Sequence, residues 1–269
     1  MLYHDRASVL ATLVVLGLIL ATLLAFPAWT RDLTVLGSPL TINISQTALI
    51  AALLVGITCS GTDTIVRSHP VIRRIQARYT FVTWSLPALT ALLAAVLLPQ
   101  ARSDLYRAAG FVITGLVLIL VISAEYYTVD PTDRRYLAAR LSLNAWAYLL
   151  ALAVFVLIYS AKARSLLSAT GVTIISTLLA LELLRSAGRS FSRTALYAAI
   201  AGLITGEIIW AMNYWRIGGM TGGLILLLGF YVATGLANQQ LQGRLNRRVV
   251  VEYAIVALVG LVVLLRFGP

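Results

Sequence analysis

The sequence predicts an all-α, polytopic membrane protein of about nine transmembrane helices, with a cytoplasmic N-terminus and an external C-terminus. Two observations predict this fold. The 269-residue chain is 60% hydrophobic and only 12% charged, whereas a soluble domain is about half apolar and about a quarter charged. Its apolar residues also fall into runs of about 20, the length of helix that crosses a hydrocarbon layer of about 30 Å.

The apolar runs follow one another with short polar connections, so residues 1–269 are predicted to form a single transmembrane domain. The first run is longer than the apolar core of a signal peptide and is interpreted as a retained helix. The eighth and ninth are the shortest. The nine predicted spans cover residues 8–29, 46–66, 79–99, 107–127, 139–160, 166–186, 194–214, 221–239 and 249–266.

The basic residues predict the orientation of these spans. The N-terminus and the even-numbered loops contain 14 of the 21 Lys and Arg residues, and the odd-numbered loops and the C-terminus contain 7. Because short cytoplasmic loops carry the excess of positive charge, the N-terminus is expected inside and the C-terminus outside. We expect the protein in a bacterial cytoplasmic (inner) membrane.

The net charge of +11 is spread over short loops and forms no extended patch, which argues against nucleic acid as a partner. Anionic lipid headgroups at the arginine-rich cytoplasmic loops are the expected partners. A membrane-protein partner or a homo-oligomer stays open.

Two features concern chain organisation. The external loop at residues 30–45 contains a Gly-Ser-Pro turn between two β-prone runs, which indicates a small hairpin, although a plain spacer fits equally well. Matches at an offset of 62 residues, including Trp84 with Trp146, indicate a parallel hairpin repeat of residues 78–127 and 140–186, unless chance matching at loop boundaries explains them.

Most charged residues near the spans have an oppositely charged neighbour one helical turn away. The predicted local pairs are Asp63 with Arg67, Glu182 with Arg185, and Arg248 with Glu252. Small residues also predict close helix packing at Gly219 and Gly223.

Glu207 has no such neighbour and is predicted to lie within about 5 Å of the middle of the seventh span, at 1.5 Å per residue. Trp210 falls on the same helix face, and Asn213 follows near the outer end. A carboxyl group buried there is expected to be neutral much of the time. It could serve a proton carrier, a cation site or a structural hydrogen bond between helices.

A second candidate site lies at the cytoplasmic rim, where Asp63, His69, Glu125 and Tyr126 could form a pocket. Asp and His side chains together can perform acid–base catalysis or bind a metal. The alternative is that the small polar residues around Asp63 only bond neighbouring helices.

The sequence contains no HExxH, GxSxG or Walker motif and no paired aspartate-rich motifs. We therefore expect no cofactor, no metal and, on balance, no enzyme. The favoured function is a small transporter-like protein or a helical partner subunit of a membrane assembly. The alternative is a membrane enzyme that acts on a lipid or polyprenyl substrate at the cytoplasmic rim.

Three segments carry a resemblance to a family. They are Gly206 to Trp215 with the Gly-Gly, leucine run and Phe230-Tyr231 that follow, Ser68-His69-Pro70, and Ala124 to Tyr127. Together they resemble an uncharacterised family of bacterial multi-pass membrane proteins. The resemblance covers most of the chain and implies no activity and no site.

Overall fold

Helices occupy the segments in which the apolar runs predict them. The computed structural model describes residues 3–23, 29–35, 38–75, 80–162, 164–187, 190–215 and 217–267. Within these residues, nine helices are long and apolar enough to cross a membrane. Helices satisfy their backbone hydrogen bonds internally, as a chain in hydrocarbon requires. The chain is a multi-pass helical membrane protein, which confirms the predicted fold class. The orientation of its termini stays a prediction.

The helices follow the predicted spans, and most of their ends differ by only a few residues. The third span is composite, because short 3-10 turns at Phe81–Trp84 and Leu98–Gln100 flank its α-helix. The short helix α3 was not predicted and begins with a proline, which suits the first position of a helix. The α-helices are α1 Tyr3–Leu23, α2 Gln46–Arg67, α3 Pro70–Ile75, α4 Ser85–Leu97, α5 Asp104–Tyr127, α6 Tyr136–Ser160, α7 Ser165–Leu184, α8 Phe191–Met212, α9 Gly219–Leu241 and α10 Arg247–Phe267.

A β-hairpin follows the first helix. Strands β1 (Trp29–Val35) and β2 (Ser38–Ile44) pair antiparallel, with Trp29 opposite Ile44 and Val35 opposite Ser38. The predicted hairpin is therefore present. The predicted end of the first span at residue 29 is wrong, because Trp29 belongs to β1 and its backbone is paired in the strand ladder.

The chain divides into two compact units, residues 1–143 and 144–269, and the boundary falls within α6. In the first unit, α1, α2, α4 and α5 pack around a core that includes Leu18, Leu54, Leu118 and Ile122. The third span is the most enclosed, with 67% of its apolar window buried. The predicted single domain and the predicted repeat both stay predictions.

The second unit contains the end of α6 and the helices α7 to α10. The rings of Phe155 on α6 and Phe230 on α9 meet edge to face, with centroids 5.8 Å apart. Helix α10 packs against α9 and has no buried residue in its apolar window. It therefore lies at the periphery of this unit.

Glycines let the helices of the second unit approach to backbone contact. A Cβ atom on Gly223 would lie 2.9 Å from the backbone N of Val156, which confirms the predicted close packing. The close packing of α7 against α8 was not predicted. A Cβ on Gly202 would lie 2.7 Å from the carbonyl oxygen of Thr173, and Gly206 lies one turn further along the same face. Small residues four apart permit such an approach.

We predict that Gly202→Ala destabilises the protein by about 1–3 kcal/mol, because the added methyl group meets the backbone of α7 and forces the helices apart. In a free helix the same change would stabilise by about 1 kcal/mol. The measurement is the unfolding midpoint in detergent. Gly56→Ala is the matched control, since a Cβ at Gly56 has nothing within 4 Å. Equal midpoints for the two variants would contradict the prediction.

Candidate functional site

The carboxylate of Asp63, near the end of α2, is held by three donors. Its Oδ1 accepts hydrogen bonds from the Thr80 hydroxyl at 2.7 Å and the Trp84 indole N–H at 3.2 Å. Its Oδ2 pairs with the Nε of Arg67 at 2.7 Å. The predicted pair with Arg67 is thus confirmed. The two further donors bind α2 to the start of the third span, so Asp63 has a structural role here.

His69 lies in the turn between α2 and α3 and is mostly buried. Its Nδ1 accepts a hydrogen bond from the backbone N–H of Val71 at 3.2 Å. Its ring meets the ring of Tyr126 edge to face, with centroids 4.6 Å apart. The structure therefore brings together two of the four predicted rim residues. The acceptor role of Nδ1 favours the neutral imidazole with its proton on Nε2.

Burial and nearby charges shift the pKa of His69 in opposite directions. Burial lowers the pKa of His69 below its ordinary value of 6.5, and the negative charges of Asp130 and Asp133 oppose the shift. The hydroxyl and backbone N–H of Thr132 both bond to Asp130, and these bonds lower the pKa of that carboxyl group. The bond from the backbone N–H of Thr132 to the carboxylate of Asp130 also closes a local turn in this segment.

Glu125, the fourth predicted rim residue, is fully buried near the end of α5. Within the described residues, no three His, Cys, Asp or Glu side chains form a group that could hold a metal ion. A catalytic role for Asp63, His69, Glu125 and Tyr126 stays a prediction.

Glu207 lies on the exposed outer surface of α8, contrary to the expected burial. The face of α8 that packs against α7 contains Gly202, Gly206 and the buried Ile209. Glu207 points away from that face, because residues one and five positions apart lie on different sides of a helix. No hydrogen bond or ion pair joins its carboxylate to another residue that the structure describes.

The depth of Glu207 also differs from the prediction. Because α8 spans Phe191–Met212, the glutamate lies five residues before its end and about 8 Å from its midpoint, at 1.5 Å per residue. It is still more than one helical turn inside the span. The carboxylate is thus placed on the surface of the chain, below the level of the helix end.

The two other residues of this predicted group differ in environment. Trp210, one turn beyond Glu207, is 46% exposed and shares its outer surface. Asn213 instead bonds inward, since its Nδ2 donates to the Ser168 hydroxyl of α7 at 2.8 Å. Asn213 therefore joins two helices by a hydrogen bond, whereas Glu207 and Trp210 are both exposed on the surface of α8. Their functional role stays a prediction.

An apolar groove of about 440 Å³ lies between α8, α9 and α10, and residues of α8 on the side next to Glu207 line it. Ile204 and Ala211, which line it, are three residues before and four after Glu207, so the spacing puts Glu207 next to this wall of the groove on α8. Four lining residues are small, namely Ala211, Gly229, Ala233 and Ala257.

The other predicted ion pairs have different outcomes. Glu182 is buried and pairs with Arg185, with 3.1 Å between Oε1 and Nη2, which confirms that prediction. The prediction of an ion pair between Arg248 and Glu252 is wrong, because no ion pair joins them in the described part of α10. Both begin an exposed helix, where water solvates their charges.

Sequence reasoning missed Thr80 and Trp84 as partners of Asp63, because they follow it by 17 and 21 residues and no local periodicity relates them. The glycines at 202 and 206 carried a signal that could have been used, since their four-residue spacing is the same as that of Gly219 and Gly223.

A family model described as "Protein of unknown function (DUF5656)" matches residues 26–267. No curated protein and no solved structure matches the chain. The match confirms the resemblance to an uncharacterised family, and the bacterial, multi-pass character of that family stays a prediction.

We predict that Asp63→Ala lowers the free energy of unfolding by about 1–3 kcal/mol, because it leaves the buried Thr80 hydroxyl and the Trp84 indole without their acceptor. The unfolding midpoint in detergent is the measurement. Asp104→Ala is the control. Its ion pair with Arg107 is exposed and contributes about 0–1 kcal/mol. An Asp63 variant as stable as the control would contradict the structural role.

We predict that stability falls as the pH is lowered through 6.5, the ordinary histidine value. The lowered pKa means that the unfolded chain binds a proton at His69 more readily than the folded chain does. The stabilisation is therefore complete above pH 6.5 and declines below it. Unfolding midpoints between pH 5.5 and 7.5 test this. His69→Gln should flatten the profile and His4→Gln should not. An unchanged slope in His69→Gln would refute the assignment.

Proposed function

We propose that this chain, which belongs to the DUF5656 family of proteins of unknown function, is a helical partner subunit of a membrane assembly. The observation that carries the proposal is the exposed position of Glu207 on α8, inside the span. An ionised side chain at the centre of a membrane helix costs about 2.5–3.5 kcal/mol on insertion scales, and the cost is smaller but still unfavourable nearer the helix end, where Glu207 lies. A donor on a neighbouring protein would offset that cost.

The proposed docking surface consists of Glu207, Trp210 and the groove between α8, α9 and α10. The small residues of the groove leave room for larger side chains of an incoming helix, as small residues do at other membrane helix interfaces. Tryptophan offers a large contact area and is frequent at the centres of protein interfaces. The occupant we propose is a transmembrane helix of another membrane protein.

The charge of Glu207 indicates the chemistry of that helix. It carries a hydroxyl, amide or basic side chain at the level of the carboxylate and donates a hydrogen bond to it. A second copy of this chain docked through the same surface would place two carboxylates together, which is unfavourable unless one is protonated. We therefore favour a different protein over a homo-oligomer.

Transport is less favoured, because a carrier group in an enclosed path would be buried, and Glu207 is exposed. Catalysis at the cytoplasmic rim is also less favoured, since both carboxylate oxygens of Asp63 already bind donors.

A bacterial cytoplasmic membrane and anionic lipid contacts at the arginine-rich loops are also part of the proposal. The charge distribution of the loops and the family resemblance support the first. A cavity of about 290 Å³ lined by Ser190, Arg193, Tyr197 and Gln240, where α8 begins and α9 ends, supports the second. Arginine is well suited to the phosphates of lipid headgroups.

We predict that a photo-crosslinking amino acid at position 210 yields one discrete adduct in native membranes. The mass of this adduct should exceed that of the chain and should differ from that of a dimer of the chain. The same amino acid at Ile174, which is exposed on α7, should not yield it. Mass spectrometry of the adduct should identify a transmembrane peptide with a donor side chain.

The dependence on Glu207 makes this test specific. Glu207→Ala should remove the adduct, because the carboxylate acceptor is lost. Leu203→Ala is the matched control, since Leu203 is exposed one turn earlier on the same surface, and it should retain the adduct. Adducts with lipid alone, or an adduct unaffected by Glu207→Ala, would overturn the proposal. An adduct between two copies would identify a homo-oligomer instead.

A further inference from the structure

We infer that the first unit contains a binding site for a lipid-borne phosphate group, in a cavity where four helix ends meet. The cavity has a volume of about 300 Å³, at the lower end of the range for small-molecule sites. It lies at the end of α1, the start of α2, the end of the third span and the first turn of α5. All its lining residues belong to the first unit.

Arg107 gives the cavity its positive charge. Its Nε is shielded from solvent and has no hydrogen-bond partner in the described part of the chain. A buried guanidinium N–H without an acceptor is costly. A ligand in the cavity would meet the exposed part of the guanidinium, and its negative charge would offset that cost. The side chain as a whole is 32% exposed, which leaves the guanidinium accessible from the cavity.

The ion pair between Arg107 and Asp104 does not prevent the guanidinium from binding a ligand. The Nη1 of Arg107 lies 3.2 Å from Oδ1 of Asp104, whose side chain is 97% exposed. A solvent-exposed pair of this kind is weak. Asp104 therefore competes little with a ligand that approaches from the cavity.

The other polar lining residues suit a phosphate ester. Thr47 contributes a hydroxyl and Gln46 an amide group, whereas the hydroxyl of Thr22 already donates to the carbonyl oxygen of Ile19 at 2.7 Å. The Nε2 of Gln46 donates to the carbonyl oxygen of Ala21 at 3.0 Å, which joins the start of α2 to the end of α1 and fixes the shape of the wall. Guanidinium groups bind phosphate oxygens through paired N–H donors.

The apolar walls indicate that the phosphate belongs to a lipid. Ile50, Ala95 and Pro99 line the cavity on the side of the spanning helices. A ligand with a charged head and an apolar body would place its phosphate beside Arg107 and its body along these residues. A soluble phosphate ester would leave this apolar surface uncovered.

The test is a titration of the detergent-solubilised full chain with dioleoyl phosphatidylglycerol, followed by native mass spectrometry. Arg107→Gln should weaken the first binding event about tenfold or more, since charge-assisted hydrogen bonds are lost. Arg102→Gln is the matched control, because Arg102 is an exposed arginine nearby that carries the same charge and does not line the cavity. It should bind as the unaltered chain does.

Two further ligands distinguish the lipid from its parts. Dioleoylglycerol, which lacks the phosphate, and glycerol 1-phosphate, which lacks the acyl chains, should both bind at least tenfold more weakly. Equal binding of glycerol 1-phosphate would overturn the lipid as occupant. Equal binding of dioleoylglycerol would overturn the role of phosphate.

A second variant guards against misfolding of Arg107→Gln. Thr47 is exposed at the wall of the cavity, so Thr47→Trp should fill part of the space while the arginine and the fold persist. It should weaken phosphatidylglycerol binding with an unchanged unfolding midpoint. Unchanged binding in both variants, or equal weakening by Arg102→Gln and Arg107→Gln, would overturn the inference.

Discussion

The cost of an unpaired polar group in hydrocarbon is the constraint on which the rest of this structure depends. It requires helices in the spans, because each backbone N–H and C=O group must find a partner within its own segment. It also governs the side chains. The hydroxyls of Thr58, Thr90, Thr205 and Thr234 each donate to the carbonyl oxygen four residues earlier. Each of these buried polar residues is thus satisfied within its helix.

The same constraint explains where charged side chains occur. Arg185 pairs with Glu182 one turn away, so that the buried carboxylate keeps a counter-charge. Asp63 has in addition the hydroxyl of Thr80 and the indole of Trp84, which join two parts of the chain through one carboxylate. A charge near a helix end is therefore compatible with the membrane when its partners are built into the fold.

Once the polar groups are satisfied, packing depends on how closely helices approach. Lipid tails are as apolar as leucine, so burial of apolar surface adds little between helices in the membrane. Close backbone contact then matters more, and the glycines of α8 and α9 provide it against α7 and α6. The asymmetry of α8 follows from this. The face with Gly202 and Gly206 is fully used in packing, and the opposite face with Glu207 is left on the surface.

Features that depend on one helix alone could be predicted from the sequence, and features that depend on which helices meet could not. The apolar runs predicted the lengths of the spans. The spacing of one helical turn predicted the ion pairs Asp63–Arg67 and Glu182–Arg185, because both pairs form within a single helix. The third predicted pair, Arg248 with Glu252, had suitable spacing but lies on an exposed helix start, where water removes the need for pairing. Trp84 beside Asp63 depends on which helices meet, and one-dimensional periodicity holds no information on that.

Glu207 shows the limit most clearly. It lies further from the middle of the span than predicted, and its predicted direction was wrong, because a charge that is isolated in the sequence need not be buried. An isolated charge in a span can face the interior or the surface, and the packing of the opposite helix face decides between them. Arg107 is the reverse case, since it has a local partner in Asp104 and no sequence pattern marks it as a site. Its shielded Nε beside a cavity becomes visible only in three dimensions. Unmet hydrogen-bonding capacity is therefore a better guide to ligand sites in this chain than isolation along the sequence.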